Sequence, residues 1–146
     1  MASNPLNRRQ AILGGVASVI ATPASPQVQA PAHPSSRWHD AAESMRQLAL
    51  SWGDQGYGAV LVQGGTIVGY GPSRVIKDRD PDAHAERVAI RDAQKSLGRE
   101  DLSGTVLYST SRPCPLCEEA AARARVARMY FGSTLQDAGS PRGVAR

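Results

Sequence analysis

"RPCPLCEE", residues 112–119, holds the only two cysteines of this 146-residue chain, Cys114 and Cys117. Two thiols spaced by Pro-Leu can form a redox pair, a disulfide or half of a metal site. The flanking residues decide the local fold. An apolar strand, "GTVLYST" (104–110), runs into the motif, a helix, "CPLCEEAAARAR" (114–125), leaves it, and "VARMYFG" (126–132) reads as a further short strand. Strand, helix and strand in that order make a parallel pair joined by a right-handed crossover. With Cys114 as N-cap, Pro115 falls at the first helical position, where its missing N–H costs nothing, and Cys117 at the third. Both sulfurs then lie at the positive end of a helix, which favours thiolates. Glu118 and Glu119 complement the same helix terminus.

Upstream, "WHDAAESMRQLALSWGDQG" (38–56) places Ala41, Met45, Leu48 and Ala49 on one helical face and ends near Gly53. "YGAVLVQGGTIVGYG" (57–71) reads as two strands around a Gly64-Gly65 hairpin turn. After a loop, "PSRVIKDRDPD" (72–82), the stretch "AHAERVAIRDAQKSLG" (83–98) is helical, with Val88, Ala89, Ala93 and Leu97 inward and Gly98 as its stop. Helix, hairpin, helix, strand, helix, strand predicts an α/β protein: a three-layer α/β/α domain on a mixed central sheet, spanning residues 38–135.

The composition is that of an ordinary globular domain, with 41% hydrophobic and 21% charged residues. The formal charge of +4 invites a nucleic-acid reading. The N-terminus weakens it. Residues 1–30 carry Arg8-Arg9, a modest apolar stretch from Ala11 to Thr22 and a small-x-small close at Val28-Gln29-Ala30, which resembles a twin-arginine signal peptide. Asn7 and Ala11 depart from that pattern. Removing the leader deletes two arginines and no acid, leaving 15 of the 17 basic residues against 13 acidic ones. The expectation is a periplasmic or secreted protein, with a cytoplasmic one as the alternative and no membrane anchor after cleavage. Residues 31–37 form a Pro/Ser linker, and 136–146 are expected to be a flexible tail.

Two thiolates do not fill a tetrahedral metal site, and His84 in "DPDAHAERVAI" is the best candidate for a third ligand. It opens a helix, with Asp82 as a candidate N-cap. Glu86, two residues on, suits a first turn lying over a metal: His84 binds it and Glu86 reaches the open fourth position. An exported Cys-Pro-x-Cys disulfide oxidoreductase is the rival reading, although it leaves the His84-Glu86 pair without a role.

His84-Ala85-Glu86, then 26 residues, then Pro113-Cys114-Pro115-Leu116-Cys117 is similar to the zinc-dependent cytidine deaminase superfamily. The resemblance runs from Trp38 to Ser133 and includes "YGAVLV", "DPDAHAERVAIRDA" and "GTVLYSTSRPCPLC". It looks nearest to the branch of guanine deaminases and tRNA adenosine deaminases. It implies a hydrolytic deaminase that holds Zn2+ through His84, Cys114 and Cys117 and releases ammonia from a nucleobase, nucleoside or related small heterocyclic amine. By the same resemblance, Glu86 takes the proton of the attacking water, passes it to the ring nitrogen and later protonates the departing amine. The backbone N–H of Ala85, together with Ser73, Arg112 and Pro113, is implied in substrate binding, and a homodimer is the expected assembly. Relatives commonly carry Asn where Ser73 stands and Glu where Arg112 stands, so substrate recognition is expected to be altered here. A deaminase acting on RNA or DNA is a further alternative, with Arg123, Arg125 and Arg128 as candidate phosphate contacts. A solvated helix face is the favoured reading of those three arginines.

Overall fold

Gly64 and Gly65 both adopt positive φ, 55° and 79°, the conformation a two-residue hairpin turn demands and L side chains resist. They join β1 (Gly58–Gln63) to β2 (Thr66–Pro72). A computed structural model of the chain describes residues 35–143 together with Gly14, Gly15 and Ser18. The rest of the expected leader and residues 31–34 of the expected linker fall outside the described residues. The remaining elements are α1 (Ser36–Ser51), α2 (Ala85–Leu97), β3 (Val106–Ser109), α3 (Pro115–Arg123), β4 (Arg128–Phe131) and β5 (Gln136–Gly139).

The strands form one sheet in the order β2-β1-β3-β4-β5. β1 is antiparallel to both β2 and β3, β3 is parallel to β4, and β4 is antiparallel to β5. The sheet is therefore mixed, as expected, and the parallel pair is the one that brackets the cysteine motif. Alternation along the central strand builds two cores. Val60 and Val62 meet Trp38 of α1 and Tyr108, while Ala59 and Leu61 meet Ala85, Ala89 and Ala93 of α2 and Ala121 of α3. Helix α1 covers one face and α2 with α3 the other, giving the three layers.

Three expectations need correction. Helix α1 starts at Ser36, so the last two residues of the expected linker are helical, and the Arg37 guanidinium lies 4.0 Å over the Trp38 ring. The buried face of α1 runs through Trp38, Ala42 and Ala49, with Ala41 and Met45 partly buried and Leu48 37% exposed. The cause is the close approach of helix and sheet at Gly58, where a Cβ would stand 2.1 Å from the Ala42 carbonyl oxygen. The sheet also continues past residue 135. Gln136–Gly139 pairs with β4, held by Arg128 gripping Asp137 at 2.7 Å, and the Arg142 N–H then donates to Glu118 at 3.0 Å. Part of the expected flexible tail is thus a fifth strand.

Candidate active site

Two helix starts converge at one end of the sheet. Helix α2 lies directly on β2: a Cβ on Gly71 would stand 2.0 Å from the Ala85 carbonyl oxygen and 2.7 Å from the Ala89 Cβ. Backbone contact therefore fixes the first turn of α2. His84 is the residue that caps this helix, in extended backbone with φ −63° and ψ 152°. Asp82, the expected cap, instead holds Arg87 at 2.7 Å. Arg87 also donates to the Leu116 carbonyl at 3.3 Å, tying the start of α2 to the start of α3.

At α3 the expected geometry is present. Cys114 is the N-cap, Pro115 opens the helix, and the Cys117 N–H donates to the Cys114 Sγ at 3.4 Å. The His84 Nδ1 stands 3.7 Å from the Cys114 Sγ and 3.4 Å from the Cys117 Sγ, and the sulfurs are 3.3 Å apart. Both cysteines are free thiols. An ion bonded at about 2.3 Å to two sulfurs and about 2.0 Å to a nitrogen at tetrahedral angles needs separations of about 3.5–3.8 Å. The cluster matches this to within about half an ångström, and its two-sulfur, one-nitrogen donor set is one that zinc prefers. His84, Cys114 and Cys117 are thus a site that fits zinc.

Glu86 is beside them and only 5% exposed. Burial raises its pKa above the ordinary carboxylate value, opposed by hydrogen bonds from its own backbone N–H, Cys117 and Ser109 and by the charge of His84. The Cys117 thiol is likewise pushed up, by burial first and then by the Glu86 charge. A buried carboxyl with a raised pKa, next to a three-ligand metal site, is an arrangement for moving protons at neutral pH.

A family model described as the cytidine and deoxycytidylate deaminase zinc-binding region matches residues 33–133. The chain belongs to this deaminase family. It is 40% identical over 82 residues to a guanine deaminase of Bacillus subtilis, covering 56% of this chain and 53% of that one. It is 35% identical over 102 residues to a tRNA-specific adenosine deaminase of Buchnera aphidicola, covering 70% of this chain and 68% of that one. A solved structure from work on A-to-I editing by tRNA:A34 deaminases matches with a TM-score of 0.65 at 35% identity, covering 67% of this chain and 71% of the other. The chain spans about half the length of the guanine deaminase and about two thirds of the tRNA enzyme.

Within this deaminase domain the other expected site residues take different places. Ala85 is fully buried at the first turn of α2, and Pro113 is buried immediately before Cys114. Arg112 is exposed, its guanidinium 5.7 Å over the Phe131 ring. Ser73 is fully buried and its hydroxyl donates to Asp54 at 3.0 Å, so the side chain is committed to the scaffold. The thiol–disulfide rival gives way to the deaminase family match, and the His84 that it could not use stands within 3.7 Å of both sulfurs.

Three residues escaped the sequence reading. Ser109 follows Leu107 by two positions on β3, so it faces α2 and α3, and its hydroxyl reaches Glu86 and the Ser111 carbonyl. Arg87 ties the two ligand turns together, as described above. Asp54 is the third. Its carboxylate accepts from the Gln55 N–H and the Ser73 hydroxyl on one oxygen, and from the Ile76 and Lys77 N–H groups at 3.0 and 2.8 Å on the other. It thereby staples the loop after α1 to the loop that leads toward His84, whose neck is closed by the Arg74 N–H to Ala83 carbonyl bond at 3.0 Å. Burial opposes ionisation of Asp54, yet these donors together hold its pKa below the ordinary 3.8. A depressed folded pKa contributes stability that is complete above the unfolded value and is lost as pH falls through the folded one. Asp54→Asn keeps one acceptor oxygen but turns an amide toward two N–H donors. It should cost about 1–3 kcal/mol at neutral pH and flatten the acid limb of the stability curve, both measurable by denaturant titration between pH 2 and 7.

Proposed function

We propose that this chain is a zinc-dependent hydrolytic deaminase of a nucleobase, nucleoside or related small heterocyclic amine. The observation that carries the reading is the buried Glu86 carboxyl against the His84, Cys114 and Cys117 cluster. Zinc held there by three protein ligands would leave one position open and bring the pKa of a water in it close to neutrality. Glu86 accepts one proton of the attacking water and delivers it to the ring nitrogen. It then takes the second from the new hydroxyl on the amino-bearing carbon and passes it to the amine, so that a carbonyl forms as the C–N bond breaks and ammonia leaves. The Glu86 backbone N–H at the start of α2 holds the carboxylate for both transfers. The Ala85 N–H and the buried Pro113 shape the wall against which the ring sits. The test is ammonia release from a panel of bases and nucleosides by zinc-loaded protein; no ammonia from any member overturns the reading.

Deamination of RNA is the second reading, supported by the likeness to tRNA-specific adenosine deaminases. Against it, the three arginines suited to phosphate contact are engaged within the chain: Arg123 with Glu119, Arg125 with Asp101 and Arg128 with Asp137. The small-molecule reading is therefore preferred, with a homodimer as the proposed assembly, checked by sedimentation.

Export through the paired arginines belongs to the same proposal. A twin-arginine route carries folded protein, so zinc would be taken up before Cys114 and Cys117 meet an oxidising compartment. Arg8→Lys with Arg9→Lys should trap precursor inside the cell, and normal secretion of that variant would contradict export by this route.

A further inference from the structure

We propose that Arg112 is an anion-receiving residue at the mouth of this site, and that the heterocycle it serves carries an oxyanion, a phosphate or a carboxylate, gripped in two-point fashion. The inference rests on the deaminase reading above.

Its first support is the platform from which Arg112 projects. The Thr110 N–H donates to the Gly58 carbonyl at 2.9 Å, and the Gly58 N–H returns a bond to the Thr110 Oγ1 at 3.2 Å. The Gly132 N–H donates to the Ser109 carbonyl at 3.0 Å, and the Ser109 hydroxyl donates to the Ser111 carbonyl. Pro113, buried and fixed in φ, follows directly. Arg112 therefore leaves a stiff backbone two residues before the ligand Cys114, and chain connectivity keeps their Cα atoms within about 7 Å. A group presented from ordered backbone loses little freedom on binding.

The second support is the company the side chain keeps. Five arginines lie beyond Gly104 among the described residues, and four are engaged: Arg123 with Glu119 at 2.5 Å, Arg125 with Asp101 at 3.8 Å, Arg128 with Asp137 at 2.7 Å and Arg142 with Glu118 at 3.7 Å. Glu118 and Glu119, the acids next along the chain, are thus already held by other arginines. Among the described residues no carboxylate comes within 4.0 Å of Arg112, which rests instead over Phe131. An aromatic ring beneath a guanidinium steadies the plane and leaves the N–H edge unspent. That edge is a planar fork matched to the two oxygens of a carboxylate or phosphate.

The experiment uses matched pairs differing only in the anion: guanosine with its 5′-monophosphate, cytidine with its 5′-monophosphate, and an aminopyrimidine with and without a ring carboxylate. Each is titrated calorimetrically into zinc-loaded Glu86→Gln protein, with and without Arg112→Gln; Arg112 is exposed, so its replacement spares the fold. The anionic member of at least one pair should bind roughly ten- to hundredfold tighter, Arg112→Gln should erase that advantage, and Arg112→Lys should restore only part of it. The phosphate and carboxylate arms report which oxyanion is meant. Equal affinities, a preference that survives Arg112→Gln, no binding by any pair, or binding only to a short single-stranded RNA would each overturn the inference. Ammonia release is read separately. Turnover of neutral compounds with no anion preference leaves the deaminase reading standing while Arg112 loses its role.

Discussion

Glu86→Gln is expected to leave a folded, metal-binding protein whose turnover has fallen by roughly 10²–10⁴-fold or more, because one carboxyl serves as base and then as acid. Gln matches the shape of Glu, but it can neither take up nor return a proton. The fold should not suffer. Glu86 is buried with its pKa raised, so its ionisation costs stability as pH rises from the unfolded value of 4.5 through the folded one. Gln carries no such cost, and the metal-free variant should melt no lower than the metal-free parent at neutral pH. Elemental analysis should find its zinc undiminished. Near-parental ammonia release by a metal-loaded variant would remove Glu86 from the chemistry.

The second large effect is on the metal itself. The protein should carry about one zinc per chain, and His84→Ala, Cys114→Ser and Cys117→Ser should each reduce it to a small fraction under the same chelator challenge. Cys117→Ser should also lower stability most, since Cys117 is fully buried whereas Cys114 and His84 are partly exposed. His39, on α1 beside Asp40, is outside the cluster, and His39→Ala should keep its zinc. Thiol titration alongside elemental analysis separates the possibilities: active protein with a Cys114–Cys117 disulfide and no metal would refute the site.

Features legible in the sequence are those set by chemistry within a few residues. Pro115 after Cys114 announces a helix start, Gly64-Gly65 a hairpin turn and Gly98 a helix stop, and each is found there. Contacts made across the fold are not announced this way. Gln136–Gly139 has no alternating apolar pattern; backbone pairing and the Arg128–Asp137 grip make it a strand. Asp54 reads as a polar residue in a loop until the fold brings Ile76 and Lys77, more than twenty positions away, to its second oxygen. The inward face of α1 was misphased because Leu48 outranks Ala42 in hydrophobicity, whereas the contact at Gly58 leaves room only for the smaller residue. His84 and the pair Cys114 and Cys117, 30 or more positions apart, were legible together through the resemblance of their paired motifs to the deaminase family; the Ser73 bond to Asp54 was not, since it depends on a loop closing.

The seat of α2 on β2 has a consequence for how such a protein can change over time. Ala85 and Ala89 rest against Gly71, and Ala89 and Ala93 against Gly69, so the helix that carries Glu86 takes its position from main-chain atoms and methyl groups. At these two glycines only small groups meet. Residues elsewhere at that end of the sheet, Tyr57, Arg112 and Leu116 among them, are exposed and bear none of this contact. They are free to drift, or to be redesigned, without disturbing the alignment of His84 with the two sulfurs. A library varied at those three positions should therefore yield mostly metal-competent proteins that differ in what they accept, while alanine at Gly71 should be lost from the pool whatever compound is used for selection.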